Sequence, residues 1–330
     1  MGGARIEMVF GDARSAPDAG TQEVERMQAE GVCAIVGGFA SPICLAASQA
    51  AARYALPYVV DVGVADSIIS RGLPNTFRFA PGFGKVSQVV LDNLAALNDG
   101  AGKPAKTVVL VHEDGLFGSG LAKLMQAELP KRGFEVLDTI AHPTPARDMG
   151  NIALRIRSLQ PDLILPSDYY AEFVLLARTL QQQRIKPKGI YGVLNGAASN
   201  YRFVREFPAA AEGLLDCNHW ADPRNPKTAA LRAKADAAGK SFSYNVMLNY
   251  SCVLLVADAL SRAGSADRAK LTEALAASTF AGHIMPYGPT RFAGGQNEDA
   301  TPVNTQVQGG DIKVIFPAAV ADAKPMFPVT

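Results

Sequence analysis

The sequence predicts an α/β protein made of two doubly wound lobes, and three observations carry that prediction. Short apolar runs alternate with amphipathic helical patterns almost from end to end, and their short connections are typical of parallel sheets covered by helices. The 330 residues are long for one domain and comfortable for two. The pattern breaks at Asn75–Lys85 and Ser241–Asn245, and the tail Val303–Phe316 alternates like strands. A single sheet of eight or more strands is an alternative that these breaks disfavour.

Apolar runs bounded by turn residues predict the strands, and apolar positions spaced by about 3.6 residues predict the helices. The predicted strands are Arg5–Phe10, Cys33–Gly37, Tyr58–Asp61, Thr107–His112, Phe134–Ile140, Leu163–Pro166, Gly189–Val193 and Gly213–Cys217. The predicted helices are Gln22–Glu30, Pro42–Tyr54, Val86–Leu97, Gly118–Leu129, Asn151–Leu159, Ala171–Gln182 and the long apolar Val246–Arg262.

Composition excludes several classes of protein. A net charge of +1 leaves no basic face for a nucleic acid or an anionic membrane surface. We expect no bilayer-spanning segment, because no run of about 18 uninterrupted apolar residues occurs. The first residues lack the apolar run of a secretory signal, so no signal peptide is expected in this chain. Four cysteines without a CxxC pair and four scattered histidines predict neither a metal site nor a cofactor.

No motif of a nucleotide-binding or hydrolytic enzyme is present. The glycines of Gly115–Gly120 follow a predicted strand, but their order is neither GxGxxG nor a P-loop. Ser119 does not lie in a GxSxG elbow. His112 stands beside Glu113 and Asp114 like an acid–base cluster, and we interpret it as a strand-end histidine in a solvated turn. The sequence therefore predicts no enzyme.

The segment Val36–Cys44 is the most informative. A strand ends in two glycines, Ser41 is predicted as the N-cap of the next helix, and Pro42 is predicted as its first residue. The first N–H groups of such a helix form an anion site at the carboxyl edge of a parallel sheet. Two interpretations stay open, since Ser41 can bind an anion or merely cap its own helix.

Several segments, taken in order, resemble the leucine/isoleucine/valine-binding family of type I periplasmic substrate-binding proteins, which serve branched-chain amino-acid ABC transporters. The resemblance covers nearly the whole chain and depends on the order and spacing of the segments. They are Gly37-Gly-Phe-Ala-Ser41, Leu56-Pro-Tyr-Val-Val60, Asn75-Thr-Phe-Arg-Phe-Ala-Pro81, His112-Glu-Asp-Gly-Leu-Phe-Gly-Ser-Gly120, Pro161-Asp-Leu-Ile-Leu-Pro-Ser-Asp-Tyr-Tyr170, Ala210-Ala-Glu-Gly213 and Tyr287-Gly-Pro-Thr-Arg-Phe-Ala-Gly-Gly-Gln296.

The resemblance implies two Rossmann-like lobes joined by three crossovers, with the ligand in the cleft between them. The crossovers fall near Pro81–Phe83, Ser243–Asn245 and Pro302–Val303. The N-terminal lobe would then comprise residues 1–82 plus 246–302, and the C-terminal lobe residues 83–245 plus 303–330. The family also opens with a strand and a helix before the segment that matches Gly2-Gly3. We therefore expect this first strand–helix unit, roughly 30–40 residues, to be missing and to leave two unpaired strand edges.

In the N-terminal lobe, Ser41 matches the serine that binds the ligand carboxylate, and Val62 matches a position that offers backbone groups. Val64 stands where the amino-acid binders have a threonine, so a hydroxyl is lost. Phe39 is a candidate for stacking on a ligand ring, with a place in the core as the alternative.

In the C-terminal lobe, Phe117 matches a tyrosine, Tyr170 matches a second tyrosine with Tyr169 beside it, and Leu194 or Asn195 matches the glutamate that receives the ligand ammonium. That carboxylate is therefore missing, and a buried ammonium without a partner is strongly unfavourable.

We infer a ligand with a carboxylate, an apolar body and no α-ammonium, such as an aromatic or aliphatic acid. Asp168 and Asp61 stay open as substitutes for the glutamate, which keeps a branched-chain amino acid as an alternative.

The predicted function is capture of a small carboxylate for an ABC importer, by hinge closure of the two lobes and without catalysis. The partners implied are the membrane permease subunits, and the family implies a monomer in the periplasm. The alternative is a ligand sensor of the same fold, of the amide- or urea-binding type. An enzyme on an α/β scaffold is the least favoured.

Overall fold

The computed structural model describes residue 3 and residues 5–329, which form an α/β protein with two separate sheets. The helices, numbered in chain order, are α1 Pro17–Ala29, α2 Ser41–Arg53, α3 Phe83–Gly100, α4 Leu116–Glu128, α5 Gly150–Leu159, α6 Tyr170–Gln182, α7 Tyr201–Glu206, α8 Pro208–Ala211, α9 Pro226–Ala237, α10 Tyr244–Ala263 and α11 Arg268–Ala276. The strands are β1 Ile35–Val36, β2 Tyr58–Val60, β3 Thr76–Arg78, β4 Thr107–Glu113, β5 Glu135–His142, β6 Leu163–Ser167, β7 Gly189–Val193, β8 Leu215–Asn218, β9 Phe292–Ala293, β10 Gln296–Asn297, β11 Val303–Gln308 and β12 Asp311–Phe316. The single-sheet alternative is therefore wrong.

The chain divides into two compact units. Unit 1 comprises Met1–Phe83 and Asn245–Thr301, and unit 2 comprises Gly84–Tyr244 and Pro302–Thr330. The sheet of unit 1 has the order β1-β2-β3-β10-β9, in which only the β10–β9 pair is antiparallel. Helices α1 and α2 of this unit pack against each other. The first three strands are therefore parallel neighbours whose carboxyl ends meet at one edge.

Unit 2 has a longer sheet in the order β12-β11-β8-β7-β6-β4-β5. Its five strands β4 to β8 are parallel, and the hairpin of β11 and β12 adds to β8 in the antiparallel sense. Strands β4, β6 and β8 are almost wholly buried, as expected when a parallel sheet is covered on both faces. The five carboxyl ends lie along one edge, where sheets of this kind bind ligands.

The strand predicted at Arg5–Phe10 is not present. No ladder of the described residues includes this segment, and Ile6, Met8 and Phe10 are 49%, 47% and 83% exposed. Alternating apolar residues are only one of two conditions for a strand. A strand also needs a neighbouring strand to take up its backbone N–H and C=O groups, and the sequence pattern does not report that neighbour.

Helix α10 is long and apolar enough to cross a membrane by length and composition, with a mean hydropathy of 1.3. Core helices of soluble proteins can be equally long and apolar. One face of the helix is fully buried inside unit 1. Its residues, spaced by three and four positions, are Leu248, Cys252, Leu255 and Ala259. Asn249 of the same helix donates a hydrogen bond to Asp61 Oδ2, after β2. The helix therefore supplies part of the core of unit 1.

The guanidinium of Arg78, at the end of β3, organises the loop that follows β2. Its side chain is 4% exposed, and its Nη1 donates to the carbonyl oxygens of Val64 and Ala65, both at 2.8 Å. Its Nε donates to Gln296 Oε1 at 2.6 Å, and its Nη2 lies 3.3 Å from Asp66 Oδ1. A buried charge is tolerated when its donors are satisfied in this way. One side chain therefore ties β3, β10 and the loop after β2 together.

Gly82→Ala should destabilise the protein by about 1–3 kcal/mol, because a Cβ at this position would clash with the Arg78 guanidinium and with Asp66 Oδ1. The guanidinium cannot swing aside without breaking its bonds to Val64 and Ala65. Urea unfolding measures the change. The matched control is Gly100→Ala at the end of α3, where a Cβ meets no atom within 4 Å. Equal unfolding midpoints for the two variants would contradict this prediction.

Candidate functional site

In unit 1, the loop between β1 and α2 is shaped by two glycines. Gly37 and Gly38 have φ angles of 139° and 108°, a region that favours glycine. A Cβ on Gly38 would lie 2.5 Å from Cys44 Sγ and 2.6 Å from the hydroxyl oxygen of Tyr58. The carbonyl oxygen of Gly38 accepts hydrogen bonds from Gly63 N and from Cys44 Sγ, both at 3.0 Å. These contacts hold the loops after β1 and β2 side by side.

Ser41 is the first residue of α2, and Ala40 is its N-cap, so the predicted capping role of Ser41 is wrong by one position. Ser41 Oγ accepts a hydrogen bond from Ala65 N at 3.3 Å, and the residue is 1% exposed. That bond uses a lone pair and leaves the hydroxyl hydrogen available to donate. Ser41 therefore stands one residue inside the helix, and its hydroxyl is hydrogen-bonded to the loop after β2.

The other candidates of unit 1 differ in what they can offer. Asp61 is buried, and its Oδ1 accepts from Val62 N at 2.8 Å while its Oδ2 accepts from Asn249 Nδ2 at 3.2 Å. Burial raises the pKa of Asp61, and these bonds partly offset it. The N–H of Val62 is therefore already used within the chain, and the carbonyl oxygen of Val64 accepts from Arg78. Phe39 is 40% exposed, which excludes the alternative of a core residue.

In unit 2, polar residues follow the carboxyl ends of the five parallel strands, and all of them are buried. They are His112 and Glu113 on β4, His142 on β5, Asp168 after β6, Asn195 after β7, and Asn218 and His219 at the end of β8. Polar groups that meet at this edge of a parallel sheet can contact a ligand bound there.

His112 does not lie in a solvated turn, because it is only 8% exposed. Its Nδ1 lies 2.7 Å from the carbonyl oxygen of Glu113. The Glu113 carboxylate accepts from Gly115 N at 2.6 Å and from Gly118 N at 2.5 Å. It therefore holds the first turn of α4, as an acid at a helix N-terminus does. The prediction of a solvated His112 is wrong because the sequence does not show that the neighbouring strands and loops cover it.

The aromatic candidates of unit 2 form two contacts. The rings of Phe117 and Tyr169 lie 5.3 Å apart between centroids. Tyr170, the first residue of α6, lies under the guanidinium of Arg202 at 4.9 Å and donates its hydroxyl to Glu206 Oε2 at 3.3 Å. Burial and the nearby Glu206 carboxylate raise the pKa of Tyr170 to about 12. The hydroxyl of Tyr170 is therefore protonated and already engaged within the unit.

Asn195 lies in the loop after β7, where Leu194 adopts a left-handed φ of 52°. Its Oδ1 accepts from Ala197 N at 3.0 Å and from Ala198 N at 3.1 Å. Its Nδ2 is buried and has no hydrogen-bond partner. Leu194 is an apolar, buried residue, so Asn195 is the one of the two aligned positions that offers a polar group.

Two buried acids support this edge, and the prediction had missed how they are paired. Asp168 Oδ1 lies 2.8 Å from Nε2 of His142, and the carbonyl oxygen of Asp168 accepts from Gly196 N at 2.9 Å. Asp216 accepts from Ser199 Oγ at 2.7 Å and from Asn195 N at 3.2 Å. Burial raises the pKa of Asp216 to about 6. Asp168 and Asn195 are thus brought together through Gly196, and Asp216 fixes the backbone of Asn195.

No group of three or more histidine, cysteine or acidic side chains among residues 5–329 is placed to hold a metal ion. All four cysteines are free thiols.

The chain matches the periplasmic binding protein family over residues 1–310. A leucine/isoleucine/valine-binding protein homolog from Brucella melitensis is 26% identical over 334 residues, which cover 97% of this chain and 83% of the homolog. A leucine-binding protein from Thermotoga maritima is 22% identical with a TM-score of 0.81, covering 94% of this chain and 87% of that one. A solute-binding protein of an ABC transporter from Rhodopseudomonas palustris, solved with benzoate, is 20% identical with a TM-score of 0.80, covering 98% of this chain and 88% of that one. This chain therefore belongs to the periplasmic binding protein family.

Proposed function

We propose that the protein captures a small carboxylate ligand between its two units and delivers it, chemically unchanged, to an ABC importer. The observation that carries the proposal is the buried Ser41 hydroxyl at the start of α2, which accepts a hydrogen bond from Ala65 N, while Ala40 occupies the N-cap position. Its hydrogen is available to a carboxylate oxygen, and the positive end of the helix dipole lies at the same place. A carboxylate at this position would receive a charge-assisted hydrogen bond.

The proposed ligand has an apolar body next to its carboxylate. Two solved relatives carry the names of such compounds, since one is called a leucine-binding protein and the other was solved with benzoate. In this chain, the half-exposed ring of Phe39 and the ring of Tyr170 are proposed to contact that body. Val64 and Phe117 are proposed as further apolar contacts, and Val62 is proposed to offer a backbone group.

We further propose that the ligand is held by hinge closure of two lobes, residues 1–82 plus 246–302 and residues 83–245 plus 303–330. The family name points to the periplasm or the cell exterior, and we propose the periplasm. Permease subunits of a membrane transporter are the proposed partners, and a monomer is the proposed state.

No catalytic step is proposed, because the buried acids Glu113 and Asp61 are engaged by main-chain N–H groups in supporting the loops.

Carboxylates should raise the thermal stability of the protein, and matched compounds without a carboxylate should not. A ligand at 100 times its Kd adds about 2.7 kcal/mol to the free energy of unfolding. The measurement is a thermal-shift series that pairs benzoate with benzamide, 4-methylpentanoate with its alcohol, and leucine with leucinol. Equal shifts within the pairs, or no shift from any carboxylate, would contradict the proposed ligand class.

Ser41→Ala should weaken binding of any carboxylate found in that series by about 1–3 kcal/mol, the usual cost of removing a hydrogen bond to a charged group. Isothermal titration calorimetry measures the change in Kd. The matched control is Ser48→Ala in the same helix, where the hydroxyl donates to Cys44 O at 2.6 Å. An unchanged Kd for Ser41→Ala, or an equal loss in both variants, would remove Ser41 from the binding site.

A further inference from the structure

The pair of His142 and Asp168 carries an inference that rests on the proposed function and refines its ligand class. The two side chains are 2% and 0% exposed, and they join the carboxyl ends of β5 and β6. His142 Nε2 lies 2.8 Å from Asp168 Oδ1. The other carboxylate oxygen, Asp168 Oδ2, is buried and has no hydrogen-bond partner. Buried polar atoms without a partner are uncommon and call for an explanation.

The proton count of the pair follows from the second ring nitrogen. His142 Nδ1 lies 3.0 Å from the carbonyl oxygen of Pro143, which can only accept, so Nδ1 carries a hydrogen. The contact between Nε2 and Oδ1 then holds one proton. The pair is either an imidazolium with a carboxylate or a neutral imidazole with a carboxylic acid, and it is neutral as a whole in both forms.

A second proton would give the buried pair a net positive charge, which burial opposes. Burial lowers the pKa of His142, but the hydrogen bonds to Asp168 and Pro143, together with the charges of Asp168 and Glu172, outweigh burial and leave the pKa raised. Glu172 and His112 are the other titratable groups whose charges act on Asp168. In both forms the shared proton lies between His142 Nε2 and Asp168 Oδ1. Asp168 Oδ2 therefore carries no proton and is an acceptor that lacks a donor.

Asp168 Oδ2 belongs to the same strand-end cluster as the proposed ligand contact Tyr170 and the candidate Asn195. Asp168 directly precedes the Tyr169-Tyr170 pair, and its carbonyl oxygen accepts from Gly196 N. Gly196 packs so closely that a Cβ on it would lie 2.6 Å from Tyr170 N. The neighbouring Asn195 has a buried Nδ2 without a partner. The loops after β6 and β7 therefore supply an unused acceptor and an unused donor in one cluster.

We propose that Asp168 Oδ2 accepts a hydrogen bond from a neutral donor of the ligand, a hydroxyl group, and that His142 is the residue that positions it. The preferred ligand is then a hydroxylated carboxylic acid. An ammonium fits less well, because the His142–Asp168 pair has no net charge to balance a buried cation. Asn195 Nδ2 is the proposed donor to the same hydroxyl oxygen, which can accept while it donates.

The test compares affinities within matched pairs of acids by calorimetry. The pairs are 2-hydroxy-4-methylpentanoate with 4-methylpentanoate, and the three monohydroxybenzoates with benzoate, with leucine as the ammonium probe. We expect at least one hydroxy acid to bind about tenfold more tightly than its unsubstituted partner, as for one added hydrogen bond. Equal affinities within every pair would overturn the inference, as would tighter binding of leucine than of the hydroxy acids. If no carboxylate binds at all, the proposed function fails and this inference fails with it.

Two substitutions at Asp168 show whether the residue acts as a hydrogen-bond acceptor or through its negative charge. In Asp168→Asn, the amide nitrogen can donate to the bare Nε2 of His142, and the amide oxygen can replace Oδ2 as an acceptor. The preference for the hydroxy acid should survive in this variant and disappear in Asp168→Leu. Loss of the preference in both variants would show that the charge of Asp168 is required and would overturn the neutral-donor assignment.

The positioning role of His142 is tested by the ratio of the affinity for a hydroxy acid to the affinity for its unsubstituted partner. A general loss of stability does not change this affinity ratio. His142→Leu should lower the ratio, and His142→Gln should restore most of it, because a glutamine amide can donate to Asp168 Oδ1. A ratio unchanged in His142→Leu would remove His142 from the inference. The comparison of ligands on the unaltered protein stays decisive if a variant fails to fold.

Discussion

The site of unit 1 depends on the buried guanidinium of Arg78. By binding the carbonyl oxygens of Val64 and Ala65, it fixes the direction of the loop after β2. The N–H of Ala65 then points at Ser41 Oγ and orients this hydroxyl at the start of α2. Burial lowers the pKa of Arg78, and the nearby Asp66 carboxylate offsets this lowering only in part. The buried charge of Arg78 therefore acts through the Val64–Ala65 backbone on the position of the proposed carboxylate-binding hydroxyl.

A comparable arrangement supports unit 2, with acids in place of the arginine. Asp216 is buried without a cationic partner and relies on hydrogen bonds from Ser199, Asn218 and the backbone of Asn195. Asp168 is held by His142 and by the backbone of Gly196. In both units, buried polar residues behind the strand ends hold the loops that carry the candidate contacts. Networks of this kind specify one loop geometry, because every broken bond leaves a buried group unsatisfied.

The fold and the ligand are decided by different parts of the chain. Relatives named for leucine and solved with benzoate share this fold with TM-scores of 0.81 and 0.80 at only 22% and 20% identity. Such low identity leaves the sheets intact while most side chains differ. A shared fold therefore does not set the ligand, which depends on a few side chains at the strand ends. In this chain we propose Ser41 in unit 1 and Asp168 with Asn195 in unit 2 as those side chains.

The sequence by itself determined the alternation of strands and helices, because burial on both faces of a parallel sheet imposes runs that can be recognised locally. Strand β7 has the predicted bounds, Gly189–Val193, and the helix predicted after the two glycines is present as α2. The strand at Arg5–Phe10 was wrong, and the N-cap at Ser41 was one residue late. Only the tertiary structure decided the partners of Arg78, of His142 and of Asp216. Each bonds to residues on other strands or loops, and hydrogen bonds between distant segments leave no periodic trace in a single sequence.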